Sequence, residues 1–141
     1  MAPARRVLFI SQRQAELISA IPSAVLISIV DPGVPPPNLV NWRGPLLRVA
    51  FHDVDPLTFP GANQDLIPLS PAVAAHIARF VHAHADLPRL VVHCRSGVSR
   101  SAGVARAVAA FRGIYFPASY REYNRHVYEA VTHALNATNA A

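Results

Sequence analysis

The chain has 141 residues, 52% of them apolar and 15% charged, with a formal net charge of +5. That balance excludes a disordered polyelectrolyte and predicts one globular domain over residues 1–141, long enough to bury a core. The single Cys excludes an internal disulfide, and no apolar run approaches the length of a membrane span.

In chain order, Val7-Leu8-Phe9-Ile10 reads as a first buried strand. Ser11 with Gln14 fits a capping box that opens a helix to about residue 20, with Ala15, Leu17 and Ile18 inward and Pro22 as its stop. Residues 24–30 are apolar nearly throughout, as in a strand covered on both faces. Asp31-Pro32-Gly33 turns the chain. Residues 34–45, with four prolines, read as an ordered loop in which Trp42 packs. Residues 46–51 form a third strand. The long stretch 52–69, with Asp53, Asp55 and Asp65, is functional or conceals an element. Ser70-Pro71 opens a helix to about residue 85, with Val73, Ile77, Phe80 and Val81 inward and Arg79 and His82 outward. Residues 89–93 are a fourth strand. A helix follows from about 99 to 112, and Gly113 ends it. Ser119 with Glu122 fits a capping box for a last helix to about residue 135, whose inward stripe is Tyr120, Tyr123, Val127, Val131 and Ala134. Strands alternating with helices imply an α/β fold: a central, mostly parallel sheet with helices on both faces.

The chemistry gathers at Leu90-Val91-Val92-His93-Cys94-Arg95-Ser96-Gly97-Val98-Ser99-Arg100-Ser101. A strand runs into a Cys, five residues intervene, and an Arg and a hydroxyl residue open a helix. Strand, tight loop and helix N-terminus make an anion cradle, to which the helix dipole adds about half a positive charge. Arg100 has the planar fork that grips two phosphate oxygens. Nearby cations and a helix start lower a thiol's pKa from roughly 8.5, so Cys94 is expected as a thiolate poised behind a bound phosphorus. A buried core thiol is the blander reading, but it leaves Arg100 and the three serines around it unexplained.

His93-Cys94-x5-Arg100-Ser101 resembles the signature of the cysteine-dependent protein tyrosine and dual-specificity phosphatases. The resemblance covers residues 46–112 best and implies a dual-specificity-phosphatase-like core. It implies Cys94 as a nucleophile that forms a phosphocysteine and Arg100 as the phosphate clamp. Ser101 resembles the hydroxyl that stabilises the departing thiolate, and His93 the histidine that orders the loop and helps to depress the Cys pKa. The backbone N–H groups of Arg95, Ser96, Gly97, Val98 and Ser99 would bind the phosphate together with Arg100. No metal or cofactor is needed. Expulsion of an alkoxide or phenoxide requires an acid on the leaving-group side. The family takes it from an Asp after an earlier strand. Asp53 is the first candidate, Asp55 the alternative general acid and Asp65 a third; either of the first two could instead cap the turn before Pro56. Asn124-Arg125 resembles an Asn-Arg pair in the last helix of some small bacterial members.

The expected reaction is hydrolysis of phosphate monoesters, with a phosphorylated protein as substrate. Phosphotyrosine alone and dual specificity both fit, and phosphate-like oxyanions should inhibit. The same chemistry on a phosphoinositide or an RNA 5′-phosphate, sulfur transfer, and a non-catalytic phosphate-binding pseudo-phosphatase are the alternatives. Val98 stands where phosphoinositide members tend to carry a basic residue, and Arg100-Ser101 argues against sulfur transfer. The basic residues are scattered, which suits anionic partners but resembles no nucleic-acid tail. Residues 7–10 are too brief for a signal-peptide core, so a cytoplasmic location is the default expectation. His82 and His84 read as a helix end facing solvent, and His52 as a surface residue or a neighbour that tunes Asp53.

Overall fold

The computed structural model describes residues 5–19, 21–61 and 65–139. Its elements are β1 (Arg6–Ser11), α1 (Gln12–Leu17), β2 (Ala24–Val30), β3 (Leu46–Ala50), α2 (Pro71–Ala83), β4 (Arg89–Cys94), α3 (Arg100–Arg112) and α4 (Arg125–Asn139). The strands make one parallel sheet in the order β1-β4-β2-β3, so β4 lies inside it and delivers its last residue, Cys94, at the carboxyl edge. Ligands bind at that edge in open α/β sheets.

The period of two along each strand sorts the apolar residues onto two faces. Val25, Ile27 and Ile29 of β2 and Leu90, Val92 and Cys94 of β4 share a core with α2, α3 and α4. Ala24, Leu26 and Val91 face the other way, onto Ala15 of α1 and onto Leu39 and Trp42 of the proline-rich loop. Trp42 packs there as expected, its Nε1–H donating to the Pro45 carbonyl. No helix among the described residues is long and apolar enough to cross a membrane.

Local signals hold where they complete themselves within a few residues. Ser11 and Gln14 close a reciprocal capping box on α1, and Ser70 Oγ accepts the Val73 N–H at the start of α2. Two helix boundaries need correction. α1 ends at Leu17, with Ile18 already extended as its C-cap, instead of reaching residue 20, which lies outside the described residues. The last helix starts at Arg125, six residues after the expected Ser119 cap. Asn124 is the cap: its Oδ1 accepts the Val127 N–H, so the helix begins where a side chain meets its third N–H group. Tyr120 therefore lies ahead of the helix, where it packs on Phe9 and Phe116. Tyr123 and Tyr128 pack against each other, with the Arg106 guanidinium over both rings.

His82 also differs from expectation. It is half-buried, bonded through Nε2 to the Leu135 carbonyl and edge-on to Phe111, so it joins α2 to α4 instead of facing solvent. His84 lies edge-on to Phe80.

Candidate active site

Cys94 is buried, and its Sγ lies 3.2 Å from Ser101 Oγ. Burial pushes the thiol pKa up. The Ser101 hydroxyl, the N–H groups of Ser101 and Gly97 and the Arg100 charge oppose it and leave the thiol below its ordinary value. The sulfur therefore sits where donors converge, the arrangement that favours a thiolate.

The loop that carries these donors is held tightly. Gly97 has φ 74°, and a Cβ there would come within 2.4 Å of the Ser11 nitrogen and 2.5 Å of the Ile10 carbonyl carbon. Only glycine allows both that dihedral and that approach to the end of β1. The Gln12 N–H donates to the Arg95 carbonyl, a second tie between the loop and the start of α1. From the other side, the Tyr120 hydroxyl donates to the Val98 carbonyl.

Arg100 is nearly fully buried at the first position of α3. Its Nη1 donates to Asp31 Oδ1 and to the Phe51 carbonyl, both at 2.7 Å. Asp31 follows β2 and Phe51 follows β3, so the guanidinium is anchored by both strand ends beyond β4. One nitrogen is engaged by these bonds, and the planar group is held in one orientation.

His93 points to the opposite face of the sheet from Cys94. It is fully buried, and its Nε2 lies 2.6 Å from Ser28 Oγ, the residue beside it in the β2–β4 register. Burial holds its pKa below the ordinary value, so the imidazole is neutral at neutral pH. Its Nδ1 is 3.3 Å from the Cys94 carbonyl, which only accepts; Nδ1 therefore carries the proton and Nε2 accepts from Ser28.

The three aspartates separate clearly. Asp53 is exposed, and its Oδ1 accepts from Ser99 Oγ at 2.8 Å and from Asn124 Nδ2 at 2.9 Å. Ser99 thus spends its side chain on Asp53 instead of capping α3. Asp55 accepts from Thr58 Oγ1 and N–H and from the N–H groups of Arg125 and His126. Burial raises its pKa, but these bonds, led by the Thr58 hydroxyl, bring it below the ordinary value. Asp55 is thus a saturated clip between its loop and the first turn of α4. Asp65 is exposed further along the same loop. His52, partly buried, closes the base of the loop: its Nδ1 accepts the Ile67 N–H and its own N–H donates to the Ile67 carbonyl. A cavity of about 520 Å³, lined by Asp53, Ser99, Thr58, Phe59, Arg121 and Tyr123, opens beside Asp53.

The structure thus brings Cys94, Arg100, Ser101, Ser99 and Asp53 around one loop, with His93 behind it. Asp31, Ser28, Tyr120 and Asn124 also belong to this constellation. In the sequence Asp31 reads as a turn residue and Tyr120 as part of a helix face. Ser28 did carry a signal, as the one polar residue in an otherwise apolar strand.

No protein-family model matches the chain. No curated protein matches it in sequence. Among solved structures, that of human DUSP28 is similar, with a TM-score of 0.52 at 17% sequence identity, covering 95% of this chain and 94% of that one. At that identity the likeness concerns the fold: the chain is a parallel α/β protein with a dual-specificity-phosphatase-like fold.

Proposed function

We propose that this chain is a cysteine-dependent phosphatase. It hydrolyses phosphate monoesters through a phosphocysteine intermediate, with protein phosphotyrosine as the first substrate class. The observation that carries the reading is the donor-lined Cys94 sulfur, 3.2 Å from Ser101 Oγ and next to an Arg100 whose guanidinium is anchored from behind.

In the first step the Cys94 thiolate attacks phosphorus. The bond between phosphorus and the ester oxygen breaks, and that oxygen takes a proton from Asp53. In the second step water attacks the phosphocysteine, gives its proton to Asp53, and the sulfur leaves as a thiolate that accepts the Ser101 O–H. Arg100 Nη1 is occupied by Asp31 and Phe51, which leaves Nε and Nη2 as the edge for two phosphate oxygens. Backbone N–H groups of residues 95–99 complete the cradle. Asp55 is already satisfied by four donors, which favours Asp53 as the acid.

The test pairs hydrolysis with binding. Cys94→Ser should abolish turnover of an aryl phosphate and of a phosphotyrosine peptide while still binding tungstate, because the loop and Arg100 hold the oxyanion. Near-wild-type turnover in Cys94→Ser would overturn the reading. A panel of phosphotyrosine, phosphoserine, phosphoinositide and RNA 5′-phosphate substrates then ranks the substrate classes.

A further inference from the structure

We propose that Asn124 is the positioning residue of the acid: it binds Asp53 by Oδ1 alone and leaves Oδ2 as the edge that carries the proton. This rests on the phosphatase reading, since it needs Asp53 as the proton donor. Asn124 is 2% exposed, and both ends of its amide are engaged. Oδ1 accepts the Val127 N–H at 3.0 Å; Nδ2 donates to Asp53 Oδ1 and to the Val54 carbonyl, both at 2.9 Å. Ser99 Oγ donates to the same Asp53 oxygen at 2.8 Å. An oxygen that accepts two donors stays an acceptor when the group is protonated, so the proton resides on Oδ2.

The main chain of Asn124 adds the link to the nucleophile's loop. Its N–H donates to the Ser99 carbonyl at 3.0 Å, so one residue touches both the end of the Cys94 loop and the acid. The support is stiff. Asp55 satisfies the N–H groups of Arg125 and His126, and the Tyr128 N–H bonds the Asn124 carbonyl. At Gly103 of α3 a Cβ would come within 2.8 Å of that carbonyl oxygen, so α3 and the first turn of α4 meet backbone to backbone. A helix cap needs only the bond to Val127. The bonds to Asp53, Val54 and Ser99 go beyond it and set the distance between acid and loop.

The experiment compares an activated aryl phosphate, whose leaving group departs without a proton, with phenyl phosphate, whose leaving group needs one. Asn124→Ser keeps a capping oxygen and removes the amide Nδ2 that reaches Asp53. Phenyl phosphate turnover should fall on the order of 10-fold or more in kcat/KM, which reports the first step, with kcat/KM for the activated ester within about 3-fold. Asn124→Asp keeps the cap and nearly the same shape but presents a carboxylate that competes for the Asp53 proton. It should show the same selective loss, and it carries the comparison if Asn124→Ser folds poorly. Asp53→Asn is the reference and should show the largest selective loss. Equal losses on both esters in the Asn124 variants, or none, would overturn the positioning role while Asp53→Asn still upholds the phosphatase reading. If Asp53→Asn itself lacks the selective loss, both fall.

Discussion

The thiol of Cys94 is governed by a handful of donors, and each makes a separate prediction. Its pKa lies below the ordinary value because the Ser101 hydroxyl, the N–H groups of Ser101 and Gly97 and the Arg100 charge outweigh burial. Alkylation by iodoacetamide should therefore show a pH midpoint below the roughly 8.5 of a free thiol. Ser101→Ala should move that midpoint upward, and phosphate should protect the thiol in both proteins. A midpoint at or above that of free cysteine would contradict the cradle. Arg100 depends on Asp31 in the same way. Asp31→Ala removes the carboxylate on Nη1 and should lower kcat/KM about 10- to 100-fold through misorientation of the guanidinium. Asp31→Asn keeps an accepting oxygen and should recover much of the loss. Activity unchanged in Asp31→Ala would show that the Phe51 carbonyl alone suffices.

Among the elements, the Cys94 loop and the first turn of α4 carry the most constraint. Gly97 combines φ 74° with backbone atoms of β1 at 2.4 and 2.5 Å from where a Cβ would sit. Gly97→Ala should therefore displace the loop from β1. The expected cost exceeds about 1 kcal/mol of stability, with loss of tungstate binding; unchanged unfolding and binding would refute the close approach. The Asp55 clip has a different signature, because its four donors belong to the loop and to α4. Asp55→Asn should destabilise by about 1 kcal/mol, as loss of a helix cap does. It should leave the leaving-group dependence of hydrolysis intact, because Asn124 still holds Asp53. A selective loss on phenyl phosphate in Asp55→Asn, absent from Asp53→Asn, would move the acid assignment to Asp55.

Across the whole molecule, the sheet ties the site to global stability through His93 and Ser28, a buried pair that spans the two central strands. The folded-state pKa of His93 lies below its ordinary 6.5. As pH falls, the unfolded chain therefore binds the proton first. Stability from this group is complete above about pH 6.5, declines as pH drops below it, and levels off beneath the folded-state pKa. Melting temperatures between about pH 7.5 and pH 5 should trace that fall, and the slope should be shallower in His93→Gln. An equal slope in the two proteins would mean that His93 does not govern it.

The strands, α2, α3 and the Cys94 loop are legible in the residues alone, because each is written in local chemistry. Apolar runs make buried strands, Ser11 with Gln14 and Ser70 with Pro71 start helices within one turn, and Gly113 in a left-handed conformation ends α3. The spacing from Cys94 to Arg100 belongs to the same class. Tertiary structure decided what depends on partners far along the chain. Asn124 starts α4 in place of Ser119, and the Asp55 carboxylate that completes that start lies about 70 residues upstream. Asp31 reads as a turn residue until the parallel register of β2 and β4 brings it to Arg100, 69 residues away. Ser28 and His93, 65 residues apart, become neighbours through that same register. Asp53 and Asp55 look alike in sequence, two residues apart in one loop. They differ because one meets a serine of the Cys94 loop and the other meets a helix N-terminus. Hydrogen bonds within three or four residues are encoded where they form, whereas those across the sheet exist only once strand order has set which ends lie side by side.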